Sequence, residues 1–158
     1  MDIRYNTPLT PEEQLAFGLP EAQPLAIADR VRFAELDNQN HVNNKAYVEW
    51  FETLRVEYNT RFLMPVWGED RPRGVVHSFS LRFLQETLRG ESYVATCRIA
   101  KFRTSSYTCD QQIWAGGTCR ATMSCVIVFL MRDGAGRFPI PANIVEDFRS
   151  RDRAVQEG

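Results

Sequence analysis

VRFAELDNQNHVNNKAYVEWFETLR, residues 31–55, is the stretch whose reading decides the fold of this chain. Its first part, a strand-like Val31-Arg32-Phe33, runs into a polar loop crowded with Glu35, Asp37, Asn38, Gln39, Asn40 and His41. The pattern then changes period. Tyr47, Trp50, Phe51, Leu54, Tyr58 and Phe62 fall three or four apart, the spacing of one helical face. Asn43 and Asn44 are both good capping residues, so a helix over residues 44–62 is expected. Lys45, Glu49, Glu52, Thr53 and Glu57 take its polar side, while the broad aromatic side suits burial against a sheet.

Upstream, residues 25–33 read as a first strand, and residues 1–24 as an N-terminal extension. Within it Thr10-Pro11-Glu12-Glu13 is a capping-box pattern, and Gly18 and Pro20 stop the helix, leaving one or two turns over residues 11–17. So short a helix must pack on something: a pocket, a dimer seam, or the surface as a strap. Downstream, residues 63–73 are a loop, after which apolar residues alternate over 74–84, 92–102, 105–114 and 118–131. In the first of these Val75, His77, Phe79, Leu81 and Phe83 share a face. The separators are tight, as at Gly116-Gly117, so the strands form an antiparallel meander. Residues 139–149 look like a short helix, and 151–158 form a C-terminal tail. One strand, one long helix and four strands make an α+β domain over residues 25–150, a five-stranded antiparallel sheet wrapped around the helix. Such a sheet leaves edges that a second copy would cover.

Composition narrows the function. The 158 residues carry a net charge of −1, which argues against nucleic acid or an anionic membrane as partner. No apolar window reaches the length of a membrane span, and the start carries no signal-peptide pattern. Cys97, Cys109, Cys119 and Cys125 lack CxxC spacing, so reduced, buried thiols in a cytoplasmic protein are expected. With only His41 and His77, no structural zinc site is expected, and no other metal or cofactor. Asp37-x-Gln39-x-His41 begins like a calcium loop, but Val42 stands at its sixth position and Val48 at its twelfth.

What remains is a carboxylate and an imidazole beside a helix start. Backbone N–H groups at Asn44 and Lys45 have no intrahelical acceptor, so they can hold a carbonyl oxygen as it becomes an oxyanion. Asp37 can activate water or attack the carbonyl itself. A thiolate leaves readily, so one carboxylate and one oxyanion hole suffice for a thioester, with His41 orienting the water or the ligand. The same residues also suit plainer roles: Asp37 as a turn former, the aromatics as core, and Glu52 with Arg55 as a surface pair.

LDNQNHVNNKAYVEWFE resembles the signature of hotdog-fold thioesterases, both the 4-hydroxybenzoyl-CoA thioesterase family and plant acyl-acyl carrier protein thioesterases. The similarity runs over residues 25–147 and includes RTSSYTCDQQIW. It implies a dimeric hotdog fold with the site at the subunit seam. Asp37 matches the catalytic acid, His41 the histidine of the plant-type motif, and Asn44 the helix-start position whose backbone N–H polarises the carbonyl. It also implies that Arg103, Thr104, Ser105 and Ser106 lie along the pantetheine arm and the CoA phosphates. Gln39 stands where the plant enzymes have Asn, with Asn40 adjacent, and the bacterial branch's glycines after the acid are missing. The expectation is therefore an acyl-CoA or acyl-carrier-protein thioesterase, a homodimer or homotetramer, with Gln39, Asn40, Tyr47, Trp50 and Phe51 lining the substrate. Phe62 and Trp67 fit the same pocket, for a fatty or an aromatic acyl group. A hotdog hydratase or dehydratase, a non-catalytic acyl-CoA binding module and a purely structural dimer are the alternatives.

Overall fold

Helix α2 (Asn44–Tyr58) lies across an antiparallel sheet in the computed structural model, which describes residues 2–158. Ahead of it come α1 (Pro11–Phe17) and β1 (Leu25–Arg30); after it come β2 (Arg73–Phe83), β3 (Ser92–Phe102), β4 (Ser106–Ala115) and β5 (Thr118–Leu130). The strand order is β1-β3-β4-β5-β2, each neighbouring pair antiparallel. This is the expected α+β hotdog arrangement, and among the described residues no helix is long and apolar enough to cross a membrane.

The aromatic spacing of α2 does what its period implies. Tyr47, Trp50, Phe51, Leu54 and Tyr58 are buried against Cys97, Ile99, Cys109, Ile113, Met123 and Cys125 of the sheet. Phe51 is wholly enclosed, so its truncation to Ala would cost about 3–5 kcal/mol. Beyond Tyr58 the helix continues as a π turn, Asn59–Leu63, that seats Leu63 in the core. All four cysteines are free thiols; Cys97, Cys109 and Cys125 are buried.

Four details depart from expectation. The four later strands are not one meander: β3, β4 and β5 follow one another, but β2 lies at the far edge and pairs with β5 instead of β3, because the tight turns join only the last three strands to one another. Residues 31–33 do not prolong the first strand: Phe33–Glu35 form a 3-10 turn, because the Glu35 carboxylate accepts from the Arg32 N–H at 2.8 Å and curls the chain. The alternation in β2 breaks at His77, since the register passes from Val76↔Ile127 to Ser78↔Val126 and leaves His77 as a bulge. Val76, Phe79, Leu81 and Phe83 therefore oppose Ile127, Cys125, Met123 and Ala121. The sheet also has a sixth strand, β6 (Val155–Gln156), paired parallel with Lys101 and Phe102 of β3 and too short to show a period.

The C-terminal helix α3 (Ala142–Ser150) starts after Pro139 and Pro141, three residues later than the sequence suggests. The tail behind it is anchored by Asp152. Its buried carboxylate accepts from Tyr58 Oη (2.7 Å), Ile99 N (2.7 Å) and Arg151 Nε (2.8 Å). Burial still pushes that carboxyl up against the pull of its donors.

The N-terminal segment works as a strap along the outer edge of β1. Asn6 N donates to Ala28 O (2.9 Å) and Leu9 N to Ala26 O (2.8 Å). Helix α1 has the full Thr10/Glu13 capping box, and the buried Gln14 amide bonds Leu9 O, Gln23 O and Gln23 N. Leu9 and Leu19 close over Ala26, Ala28 and Val94 as a second, smaller core.

Candidate active site

The loop before α2 is a tight hairpin rather than loose coil. Leu36 and Val42 form a bridge, Asp37 N donates to His41 O (2.7 Å), and Asn43 N donates to Glu35 O (2.8 Å). Asn40 sits at φ +62°, a left-handed conformation that Asn tolerates better than most residues. One oxygen of the Asp37 carboxylate accepts from Gln39 N (2.8 Å) and His41 N (3.0 Å), and the residue is exposed. Those backbone donors, His41 first, hold the Asp37 carboxyl below the usual aspartate range. It is thus a standing carboxylate with its second oxygen uncommitted. His41 meets Asp37 only through the backbone; its Nδ1 lies 3.1 Å from Glu86 Oε2, a partner the sequence did not point to.

The helix start is as open as the loop. Asn43 caps it, accepting from Ala46 N at 2.9 Å, while the Asn44 and Lys45 N–H groups donate to no acceptor among the described residues. Glu35 fixes the angle between loop and helix, since its other carboxylate oxygen takes the Trp50 indole N–H at 2.6 Å. The back of the loop rests on residues 85–91: Val42 N donates to Thr87 O and Tyr47 Oη to Thr87 Oγ1, both at 2.9 Å. That segment is clamped by Arg120, which is almost wholly buried. Its guanidinium donates to Glu86 O (2.7 Å) and to both Glu91 carboxylate oxygens (2.9 and 3.1 Å). The fork pulls the Glu91 carboxyl down. Sequence reading named Glu35 without a role and missed Glu86, Thr87 and Arg120, because the pairs these make span up to forty-five positions and leave no local pattern.

The other expected site residues separate into groups. Gln39 and Asn40 are exposed beside Asp37. Tyr47 is buried, its ring edge-on to Trp50 (5.2 Å) and to Phe83 (5.3 Å). Trp50 stacks on Tyr93 at 3.9 Å and Phe51 belongs to the core. Arg103 and Ser106 lie elsewhere, in a cleft of about 300 Å³ shared with His77, Lys101 and Glu157. Thr104 and Ser105 serve the backbone, accepting from Ile140 N and Phe129 N at 2.8 Å, with Ser105 buried. Glu52 and Arg55 do not pair; Arg55 instead donates to Gln111 Oε1 (3.0 Å) and Met123 Sδ (3.2 Å). Trp67 lines a cavity of about 450 Å³, which opens beside the second half of α2.

A helix wrapped by this sheet, with an acid-bearing hairpin at its N-terminus, defines a hotdog domain with a thioesterase-type loop. The thioesterase-like superfamily model matches residues 31–148, and this chain belongs to that family. Among solved structures it is similar to a thioesterase-superfamily protein from a Jannaschia species, at 37% identity and a TM-score of 0.89, covering 98% of this chain and 99% of that one. It is also similar to a thioesterase from Thermus thermophilus solved with coenzyme A and zinc, at 27% identity and a TM-score of 0.71, covering 83% and 96%. A 1,4-dihydroxy-2-naphthoyl-CoA thioesterase from Synechocystis shares the fold at 12% identity, with a TM-score of 0.66 over 78% and 93% of the two chains. No protein of curated function matches in sequence.

Proposed function

We propose that this protein hydrolyses an acyl-CoA or acyl-carrier-protein thioester to a free acid and a thiol. The observation that carries this reading is the Asp37 carboxylate, held ionised in a hairpin that ends in two uncommitted helix-start amides. With Asp37 as base, water oxygen attacks the thioester carbon while its proton passes to the carboxylate. The oxyanion that forms is held by the Asn44 and Lys45 N–H groups, helped by the helix dipole. The C–S bond then breaks, and the thiolate takes a proton from Asp37 or solvent. With Asp37 as nucleophile, the thiolate leaves first and water cleaves the mixed anhydride that remains. Single turnover in ¹⁸O-water tests the second route: label in Asp37 marks water attack on the Asp37 carbonyl of the anhydride, whereas the base route labels the product acid alone. His41, steadied by Glu86, orients the ligand or the water.

The cleft of Lys101, Arg103 and His77 supports a phosphate-bearing carrier such as CoA. Its pairs with Glu157, at 3.4 and 3.9 Å, are exposed and weak enough for an anionic ligand to replace. The thioesterase solved with coenzyme A supports the same reading. Two copies, or two pairs of copies, complete the site. β2 is a long sheet edge that presents Val76, Phe79 and Phe83 about half exposed, beside the loop. Buried free thiols suit a reducing compartment, and the cytoplasm is the proposed location. Thiol release across short, long and aromatic acyl-CoAs tests the activity; no release from any of them, with CoA esters still bound, would make the chain a binding module.

A further inference from the structure

Arg55 is the charge that the fold leaves unexplained. It sits on α2 with its side chain half-buried, and among the described residues it has no ion-pair partner. Only Nη1 is used: it donates to Gln111 Oε1 and Met123 Sδ. Gln111 is itself buried and held by Phe51 O at 2.8 Å, so the guanidinium is fixed in orientation from behind. Nε and Nη2 meet no protein acceptor, and neither is sealed from the surroundings. A half-buried cation without a counter-ion is costly to keep, and Arg is the residue whose fork matches a carboxylate.

Arg55 lines the 450 Å³ cavity. Most of that wall is apolar, with Val56, Trp67, Val76, Ile127 and Phe129, while Arg71 and Arg73 also line it, against the single carboxylate of Glu52. Three guanidiniums to one carboxylate give the cavity a positive field over apolar walls. The cavity also aligns with the proposed site. Positions 44, 48, 52, 55 and 59 share one side of α2, by their spacing of three or four. Strand β2 runs along that side in the opposite direction: Phe83 meets Tyr47 near the helix start, whereas Gly74 and Val76 line the cavity beside residues 52–59. From Asn44 to Arg55 is on the order of 16 Å at 1.5 Å per residue.

Resting on the thioesterase reading of the loop, we infer that this cavity receives the far end of an acyl chain and that Arg55 reads a terminal carboxylate there. The favoured substrate is then the thioester of a dicarboxylic acid, long enough to run from the helix start to Arg55, with an apolar middle.

The test compares ω-carboxyacyl-CoA and methyl-ended acyl-CoA thioesters of equal length, over a series of lengths, by thiol release. The kcat/KM ratio should favour the carboxylated chain by on the order of tenfold to a hundredfold, the worth of one charge-assisted hydrogen bond. It should peak at an intermediate length rather than at the shortest. Arg55→Met should bring the ratio to one or below, and Arg55→Lys should keep part of it. Should the Arg55 variants fail to fold, Val56→Asp carries the test, because Val56 is more than half exposed and lines the same cavity. Its added carboxylate should lower the ratio at least fivefold. Calorimetric titration with free dicarboxylic and monocarboxylic acids gives a readout independent of turnover. Thiol release with no preference for the carboxylated chain, or a ratio that Val56→Asp leaves unchanged, overturns the inference and leaves the thioesterase reading standing. No thiol release, but dicarboxylate binding that Val56→Asp weakens, overturns the thioesterase reading and leaves the carboxylate site standing.

Discussion

The two edges of the sheet are finished in opposite ways. At β1 the chain covers its own edge: residues 5–9 bond to Ala26 and Ala28, and Leu9 and Leu19 cover the apolar surface. At β2 the chain supplies nothing. Eleven residues lie open on one side, with Phe79 and Phe83 half in solvent and Leu84 more so. Long apolar edges are an aggregation hazard that proteins normally blunt. The bare edge is also the one that leads to the candidate site, since Leu84 is followed by the segment that supports the Asp37 loop. Stability is built at the closed edge, and the proposed chemistry stands at the open one.

Charging the open edge gives the largest expected effect. Phe79→Asp should convert the proposed dimer or tetramer to monomers by light scattering and lower thioester turnover at least about a hundredfold, while the isolated chain keeps its helical and strand content. The same substitution leaving both assembly and turnover intact would show that β2 is an ordinary surface. Next comes the clamp behind the loop. Arg120→Met takes the guanidinium from Glu91, which keeps only the Leu88 N–H, and from the Glu86 carbonyl, at a cost of about 3 kcal/mol in chemical denaturation. At the closed edge, Gln14→Ala removes three hydrogen bonds of a buried amide and should cost about 2 kcal/mol without altering assembly or turnover. An altered oligomeric state in that variant would mean the strap reaches the seam.

The smallest effect is in pH. Arg120 lowers the folded-state pKa of Glu91, so the stabilisation is present above the ordinary carboxylate pKa and is lost as pH falls through the folded value. A melting-temperature profile into acid should fall for wild type and be flatter for Glu91→Gln. Parallel profiles would assign the acid loss to another group.

Period made the fold legible: three-and-four spacing named α2, alternation named the four later strands though not that β2 pairs with β5 instead of β3, and Asn43 marked where loop becomes helix. What period could not show was anything set by one residue or by a distant partner. The bulge at His77 is a single extra position, and β6 is two residues held by a neighbouring strand. Asp37 was legible because its acid precedes a helix start and resembles a family motif. His41's partner Glu86 is forty-five positions away, and the solitude of Arg55 is visible only when Glu52, three residues before it, turns out to be unpaired.

The central claim is that Asp37 carries the chemical step, and thiol release by Asp37→Asn tests it most directly. The loop's backbone bonds need only an acceptor oxygen, which Asn retains, so melting and assembly should match wild type. Turnover of a good acyl-CoA substrate should fall at least a hundredfold. An Asp37→Asn protein that releases thiol as fast as wild type would contradict the account.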